Sequence, residues 1–144
     1  MIDLPPHETL TPVPDFPVEA PDGVKTWTEL QRQSAFIKEM RTIAPTVMIF
    51  ANANAGKRNP RQAKREGIVG GVFDLTCTWE GGSAWCEWKG YTKAGRAGRL
   101  SPAQIDWGNK MHARGKAVAC FFTPAACVAW LRGLGAPFVT REGL

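Results

Sequence analysis

The stretch Val72-Phe73-Asp74-Leu75-Thr76-Cys77-Thr78-Trp79-Glu80-Gly81-Gly82-Ser83-Ala84-Trp85-Cys86-Glu87-Trp88-Lys89 decides the fold. Two runs rich in β-branched and aromatic residues flank Glu80-Gly81-Gly82-Ser83, a composition that closes a hairpin. Counting outward from that turn pairs Trp79 with Ala84, Cys77 with Cys86 and Leu75 with Trp88. Period-two alternation then gives one wholly apolar face of Phe73, Leu75, Cys77, Trp79, Ala84, Cys86 and Trp88, and an opposite face of Asp74, Thr76, Thr78, Trp85, Glu87 and Lys89. In this register Asp74 faces Lys89, with Glu87 as its diagonal neighbour ~7 to 8 Å away at the backbone. Two carboxylates so placed can converge on one hard cation such as Mg²⁺ or Mn²⁺. A salt bridge between Asp74 and Lys89 on a solvated face is the plain alternative, and the pattern alone supports both. A turn shifted by one residue would exchange the two faces.

Upstream, Thr28 offers an N-cap with Gln31 three residues on, which predicts a helix over 29–41. Leu30, Phe36, Ile37 and Met40 form its apolar side, and Glu29 and Gln33 lie one turn apart on one face. Pro45 stops that helix, and residues 47–50 read as a short strand leading into a loop over 51–58. A short basic helix over 59–66 opens at Pro60 and ends before Gly67. Downstream of the hairpin, residues 91–99 form a glycine-containing basic loop. Ser101-Pro102 then starts a helix to about residue 114, ended by Gly115. Residues 116–122 are an apolar strand, and Thr123-Pro124 caps a last helix that stops near Gly133 or Gly135. This order predicts an α/β domain, with α+β as the variant, built on a mixed sheet flanked by helices.

The 144 residues, 44% of them hydrophobic, suffice for one core. Residues 27–135 are read as that domain. Residues 1–26 hold six prolines and five acids with few apolar side chains, a composition for a flexible arm or a strap ordered by a partner. Residues 136–144 are read as a fraying tail. A net charge of +5 favours a polyanionic partner. No run is long and apolar enough to span a bilayer, and MIDLPPHETL lacks the basic start and apolar stretch of a secretory leader, so a cytoplasmic location is expected. Cys77, Cys86, Cys120 and Cys127 sit in apolar stretches without CxxC spacing, and only His7 and His112 are present, which argues against zinc. Gly56-Lys57 is followed by Arg58 where a nucleotide-hydrolase phosphate loop needs Ser or Thr. Of the six tryptophans, Trp79, Trp88, Trp107 and Trp130 fall at core positions, and Trp85 alone shares the charged face.

Three motifs stand in one order: Gly70-Gly71-Val72-Phe73-Asp74, Glu87-Trp88-Lys89 and Ser101-Pro102-Ala103-Gln104-Ile105-Asp106-Trp107. Together with Glu29-Leu30-Gln31-Arg32-Gln33, Asn54-Ala55-Gly56-Lys57-Arg58 and the run 63–67, this resembles the VRR-NUC nucleases of the PD-(D/E)xK superfamily over about residues 28–132. One departure is Phe73, where the superfamily usually has proline, a position that packs and bends the strand. The resemblance implies a restriction-endonuclease-like core in which Asp74 and Glu87 ligate Mg²⁺ or Mn²⁺. Lys89 would hold the attacking water and stabilise developing phosphate charge. Glu29 resembles the first-helix carboxylate that completes such sites, and Gln104 the family's glutamine after the third strand. Their plain alternatives are a helix-dipole glutamate and half of a capping box with Ser101.

The resemblance thus leads us to expect a metal-dependent endonuclease that hydrolyses DNA phosphodiesters by in-line attack of water. It would be selective for branched DNA such as Holliday junctions, and similar to stand-alone phage and bacterial proteins that work as homodimers. Lys57, Arg58, Arg61, Lys64 and Arg65 on one side and Lys93, Arg96 and Arg99 on the other are the candidate phosphate-binding residues. The competing reading is a catalytically silent DNA-binding module within a replication or repair assembly.

Overall fold

The computed structural model describes residues 12–52 and 59–140. The elements run in the order α1 (Glu29–Ile43), β1 (Met48–Ala51), α2 (Pro60–Arg65), β2 (Leu75–Trp79), β3 (Gly82–Trp88), α3 (Pro102–Ala113), β4 (Ala117–Phe121) and α4 (Pro124–Gly133). Both predicted capping boxes form. Thr28 Oγ1 accepts from Gln31 N while Gln31 Oε1 accepts from Thr28 N, and Ser101 and Gln104 repeat the arrangement at α3. Each box satisfies two N–H groups that a helix start otherwise leaves bare.

The four strands form one mixed sheet in the order β1-β2-β3-β4. The first three are an antiparallel meander, and β4 returns through α3 to lie parallel to β3. α1 and α4 pack on one face, where Phe36, Met40, Cys127 and Leu131 meet Leu75, Cys77, Cys86, Trp88 and Phe121. Burying a side chain of this size contributes about 1.5 to 3 kcal/mol each, so this layer supplies most of the drive to fold. α3 lies on the other face, over the β3–β4 half, around Val118, Cys120, Trp85, Trp107 and Met111. All four cysteines are buried free thiols, as their apolar neighbours in the sequence suggest. Among the described residues, no helix is long and apolar enough to cross a membrane.

The hairpin register differs from the expected one by two residues. The turn is the pair Glu80-Gly81, Gly82 joins β3 opposite Trp79, and Leu75 pairs with Cys86. Gly81 adopts φ +96° to close this short turn. A Cβ on Gly82 would stand 2.7 Å from the Trp79 ring, so the indole lies flat across the glycine. Because the shift is even, the two faces keep their residues, and only the partners change. Phe73 is the exception. The chain bends at Asp74, and Phe73 packs in the α3 layer, 5.4 Å from Phe16 and 4.9 Å from Trp107, not with Leu75 and Cys77.

Three further expectations need correction. Leu30, assigned to the apolar side of α1, is 71% exposed, and Arg32 takes the fully buried position. All five Arg32 N–H groups are used: Asp22 Oδ1 and Oδ2 accept two, and the carbonyls of Trp27, Phe122 and Val24 accept the rest. The guanidinium also lies 4.7 Å from the Trp27 ring centroid. Residues 12–26 are therefore a packed strap on the domain and not a free arm. Their few contacts are well used: Phe16 is buried, and Cys120 N donates to Pro17 O while Glu19 N donates to Cys120 O along the outer edge of β4. The Glu19 carboxylate accepts from Phe122 N, Thr123 N and Thr123 Oγ1. Past residue 135 the chain is also held, with Ala136 buried and Val139 N donating to Ile43 O. Residues 1–11 and 141–144 of the assigned arm and tail lie outside the described residues.

Candidate functional site

Continuing the β2–β3 register past Leu75 and Cys86 sets Asp74 directly opposite Glu87, where the expected register had Lys89. At this point the ladder is completed by side chains. Asp74 N donates to Glu87 Oε1 at 3.1 Å, and Trp88 N donates to Asp74 Oδ2 at 2.8 Å. The carboxylates are held rigidly by backbone donors and face one another, a closer juxtaposition than a diagonal pair.

Lys89 extends β3, where its N–H donates to Phe121 O. Its Nζ lies 3.2 Å from Glu87 Oε2 and donates to Gln104 Oε1 at 3.1 Å. Gln104 Nε2 in turn donates to Glu87 Oε2 at 2.8 Å. Gln104 Oε1 completes the α3 capping box, the plain alternative for this residue, and its side-chain amide also bridges the acid and the amine. Close backbone approach makes this possible. Gly71 sits at φ +84°, and a Cβ there would meet Ala103 O at 2.2 Å, so only glycine lets the first turn of α3 press down beside Asp74.

Two like charges in a poorly solvated place disfavour ionisation. Glu87 is 2% exposed, and its carboxyl is pushed up to about 8, first by burial and then by the charge on Asp74, against the pull of Lys89. Burial likewise raises Asp74, against the hydrogen bonds it shares with Trp88 N and Glu87 and the charge of Lys89. Glu29 stays largely exposed at the start of α1, and its carboxyl is raised by partial desolvation and by Asp74. Gly90 brings that helix start close, since a Cβ on Gly90 would lie 2.3 Å from Glu29 N.

Among the described residues, no group of three or more His, Cys, Asp or Glu side chains stands close enough to hold a metal ion. Glu29 reaches the pair electrostatically from the start of α1. The donor set fits a hard divalent cation that keeps several waters and takes one or two carboxylates, as Mg²⁺ does. A positive ion here would offset the burial that raises both acids and the Asp74 charge that raises Glu87 further.

The other expected residues are more dispersed. Arg61, Lys64 and Arg65 are exposed on α2. Lys93, Arg96 and Arg99 are exposed on a loop closed by Thr92 N donating to Arg96 O and Gly98 N donating to Gly90 O. Lys57 and Arg58 lie outside the described residues. Trp85 is partly buried against the α3 layer and does not stand free over the site.

Asn52 is a contributor that sequence reasoning missed. Its N and Nδ2 donate to Asp74 O and Phe73 O, both at 2.9 Å, and its Oδ1 accepts from Thr76 Oγ1. These bonds fix the bend that aims Asp74. Nothing local distinguishes Asn52 from Asn54 in the sequence Asn52-Ala53-Asn54, so only the pairing of β1 with β2 identifies it. Comparison of the chain with protein-family models, with curated proteins and with solved structures finds no match.

Proposed function

We propose that this chain is a Mg²⁺- or Mn²⁺-dependent endonuclease that hydrolyses DNA phosphodiester bonds, with a site of the PD-(D/E)xK kind. The observation that carries this reading is the opposed, partly desolvated pair Asp74 and Glu87 with Lys89 and Gln104 bonded to one of them. A solvated salt bridge would not need one acid buried and a second, partly buried acid set opposite it, nor a glutamine fastened between acid and amine. The net charge of +5 and the exposed cations of α2 and of the 91–99 loop support a polyanionic substrate.

In this reading Asp74 and Glu87 would hold the cation, which supplies charge neutralisation at the phosphate and lowers the pKa of water. Lys89 donates to the attacking water or a non-bridging phosphate oxygen, and its geometry is set by Gln104 Oε1. Gln104 keeps Glu87 Oε2 turned toward the same place. Glu29 contributes negative charge from α1 and orients outlying waters. Selectivity for branched DNA and action as a homodimer, in which two sites cut two strands, complete the proposal.

The test is a cleavage panel of labelled four-way junction, flap, duplex and single-stranded DNA with Mg²⁺ or Mn²⁺, beside Asp74→Ala. Wild-type protein should cut at least one branched substrate, and Asp74→Ala should cut at least about 1,000-fold more slowly while remaining folded. Normal cutting by Asp74→Ala sinks the assignment. Tight DNA binding with no product under any metal condition favours a silent binding module instead.

A further inference from the structure

A cavity of about 370 Å³ lies beside the site, between the N-terminal strap, the basic loop and the sheet. Its lining includes Cys120 and Phe122, which are 1% and 2% exposed, together with Ile105 at the start of α3. Val18, 44% exposed, and the exposed Arg99 stand at its rim. Lys89 is a further part of the lining, so the residue that bonds Gln104 and Glu87 belongs to both places. Cys120 is the register partner of Glu87 on β4, which puts the inner end of the cavity one strand spacing, ~4.8 Å, from the acid-bearing position on the same sheet face.

We infer that this cavity receives one unpaired nucleobase of the strand whose phosphate meets Lys89, a reading that rests on the proposed nuclease activity. The chemistry matches in three respects. Apolar side chains from separate segments, Val18 of the strap and Ile105 of α3 among them, suit the apolar faces of a base. Lys89 and Arg99 suit the phosphates on either side of it. The one acid in the lining, Glu19, has both carboxylate oxygens turned to Phe122 N, Thr123 N and Thr123 Oγ1, so it does not confront the phosphates. The volume falls at the lower end of ligand clefts, ~300 to 1,000 Å³, which suits a single nucleoside. A base stacked in duplex must be extruded to enter, whereas one at a branch or flap is already free. The cavity therefore gives a physical source for a preference for branched substrates, and the strap becomes part of substrate recognition.

The test uses 2-aminopurine placed at successive positions across a single-strand-to-duplex junction, bound by Asp74→Asn protein so that no cutting intervenes. Fluorescence should rise at one position, where the base leaves the stack, and the rise should vanish when Val18→Trp is added to fill the cavity from its exposed rim. With the site intact, Val18→Trp should cut a base-bearing junction about 10-fold more slowly, and should cut the same junction abasic at that position at the wild-type rate. Fluorescence that rises at no position, or equal slowing of abasic and base-bearing substrates, overturns the inference. Wild-type cutting with no such rise sinks the cavity reading alone. Absence of all cutting sinks the nuclease reading, and the fluorescence still decides whether the cavity takes a base.

Discussion

Replacing Glu87 by Gln removes a charge that the metal-free protein holds at a cost. A carboxyl titrating near 8 in the folded chain against an ordinary 4.5 costs about 5 kcal/mol to ionise there, at about 1.4 kcal/mol per pH unit. Since the folded-state value is raised, the favourable contribution of Glu87 is complete below about pH 4.5 and is lost as pH climbs through 8. Gln keeps an oxygen for Asp74 N, but it sets an NH₂ group against Gln104 Nε2 and takes from Lys89 its carboxylate partner, leaving Gln104 Oε1. These losses offset part of the gain and leave about 2 to 4 kcal/mol in favour of the variant at about pH 9. For a chain of this length that is a rise in melting temperature of about 5 to 10 °C. The assay is thermal unfolding in chelator at about pH 5 and about pH 9, with and without Mg²⁺ or Mn²⁺. Wild-type protein should lose stability between the two pH values and regain it with metal, and Glu87→Gln should respond weakly to both. A variant that melts at or below the wild type at about pH 9 without metal, or a wild-type melting temperature flat across this range, refutes the reasoning.

Asp22→Asn should destabilise the fold by about 2 to 4 kcal/mol in urea, because Arg32 would stay buried without its counter-ion. The Asp22 carboxyl is held below its usual range by the hydrogen bond and charge of Arg32, so its contribution is present above about pH 4 and lost in acid, and the variant's deficit should shrink as pH falls. Gly71→Ala should cost about 3 kcal/mol or more, measured in the same way, since its methyl would overlap Ala103 O in a backbone conformation already unfavourable for alanine. If the protein still folds, cleavage should drop with it, because α3 carries Gln104 away from Lys89. Binding of DNA should weaken steeply with salt, with a logarithmic slope of about −5 to −7 for five to eight neutralised phosphates, and a flat response would exclude the basic segments as a phosphate surface.

Much of the architecture was legible because the signals are local. Thr28 with Gln31 and Ser101 with Gln104 announce two helix starts, and Thr123-Pro124 a third. The alternation in 75–79 and 84–88 announces a hairpin with one apolar face. The candidate site was legible to the extent that it derives from that alternation, which sends Asp74, Glu87 and Lys89 the same way. The direct opposition of Asp74 and Glu87 was not. Glu80-Gly81-Gly82-Ser83 contains two adjacent glycines, either of which can sit in a turn, and the register is decided by Trp79 lying across Gly82. Leu30 and Arg32 were exchanged for a related reason: helical periodicity ranks side chains by polarity and cannot anticipate that Asp22, Trp27, Val24 and Phe122 would supply a site for a guanidinium.

The sequence by itself determined the kinds of element, their order, and which side chains share a sheet face, since capping, proline geometry and the two-residue pleat act within a few residues of one another. Tertiary structure alone decided that residues 12–26 belong to the domain, that Asn52 fixes the bend before β2, and that Gln104 reaches both Lys89 and Glu87. Each of these depends on bonds between segments far apart in the chain, whose strength comes from surroundings that exist only once the sheet has closed against its helices.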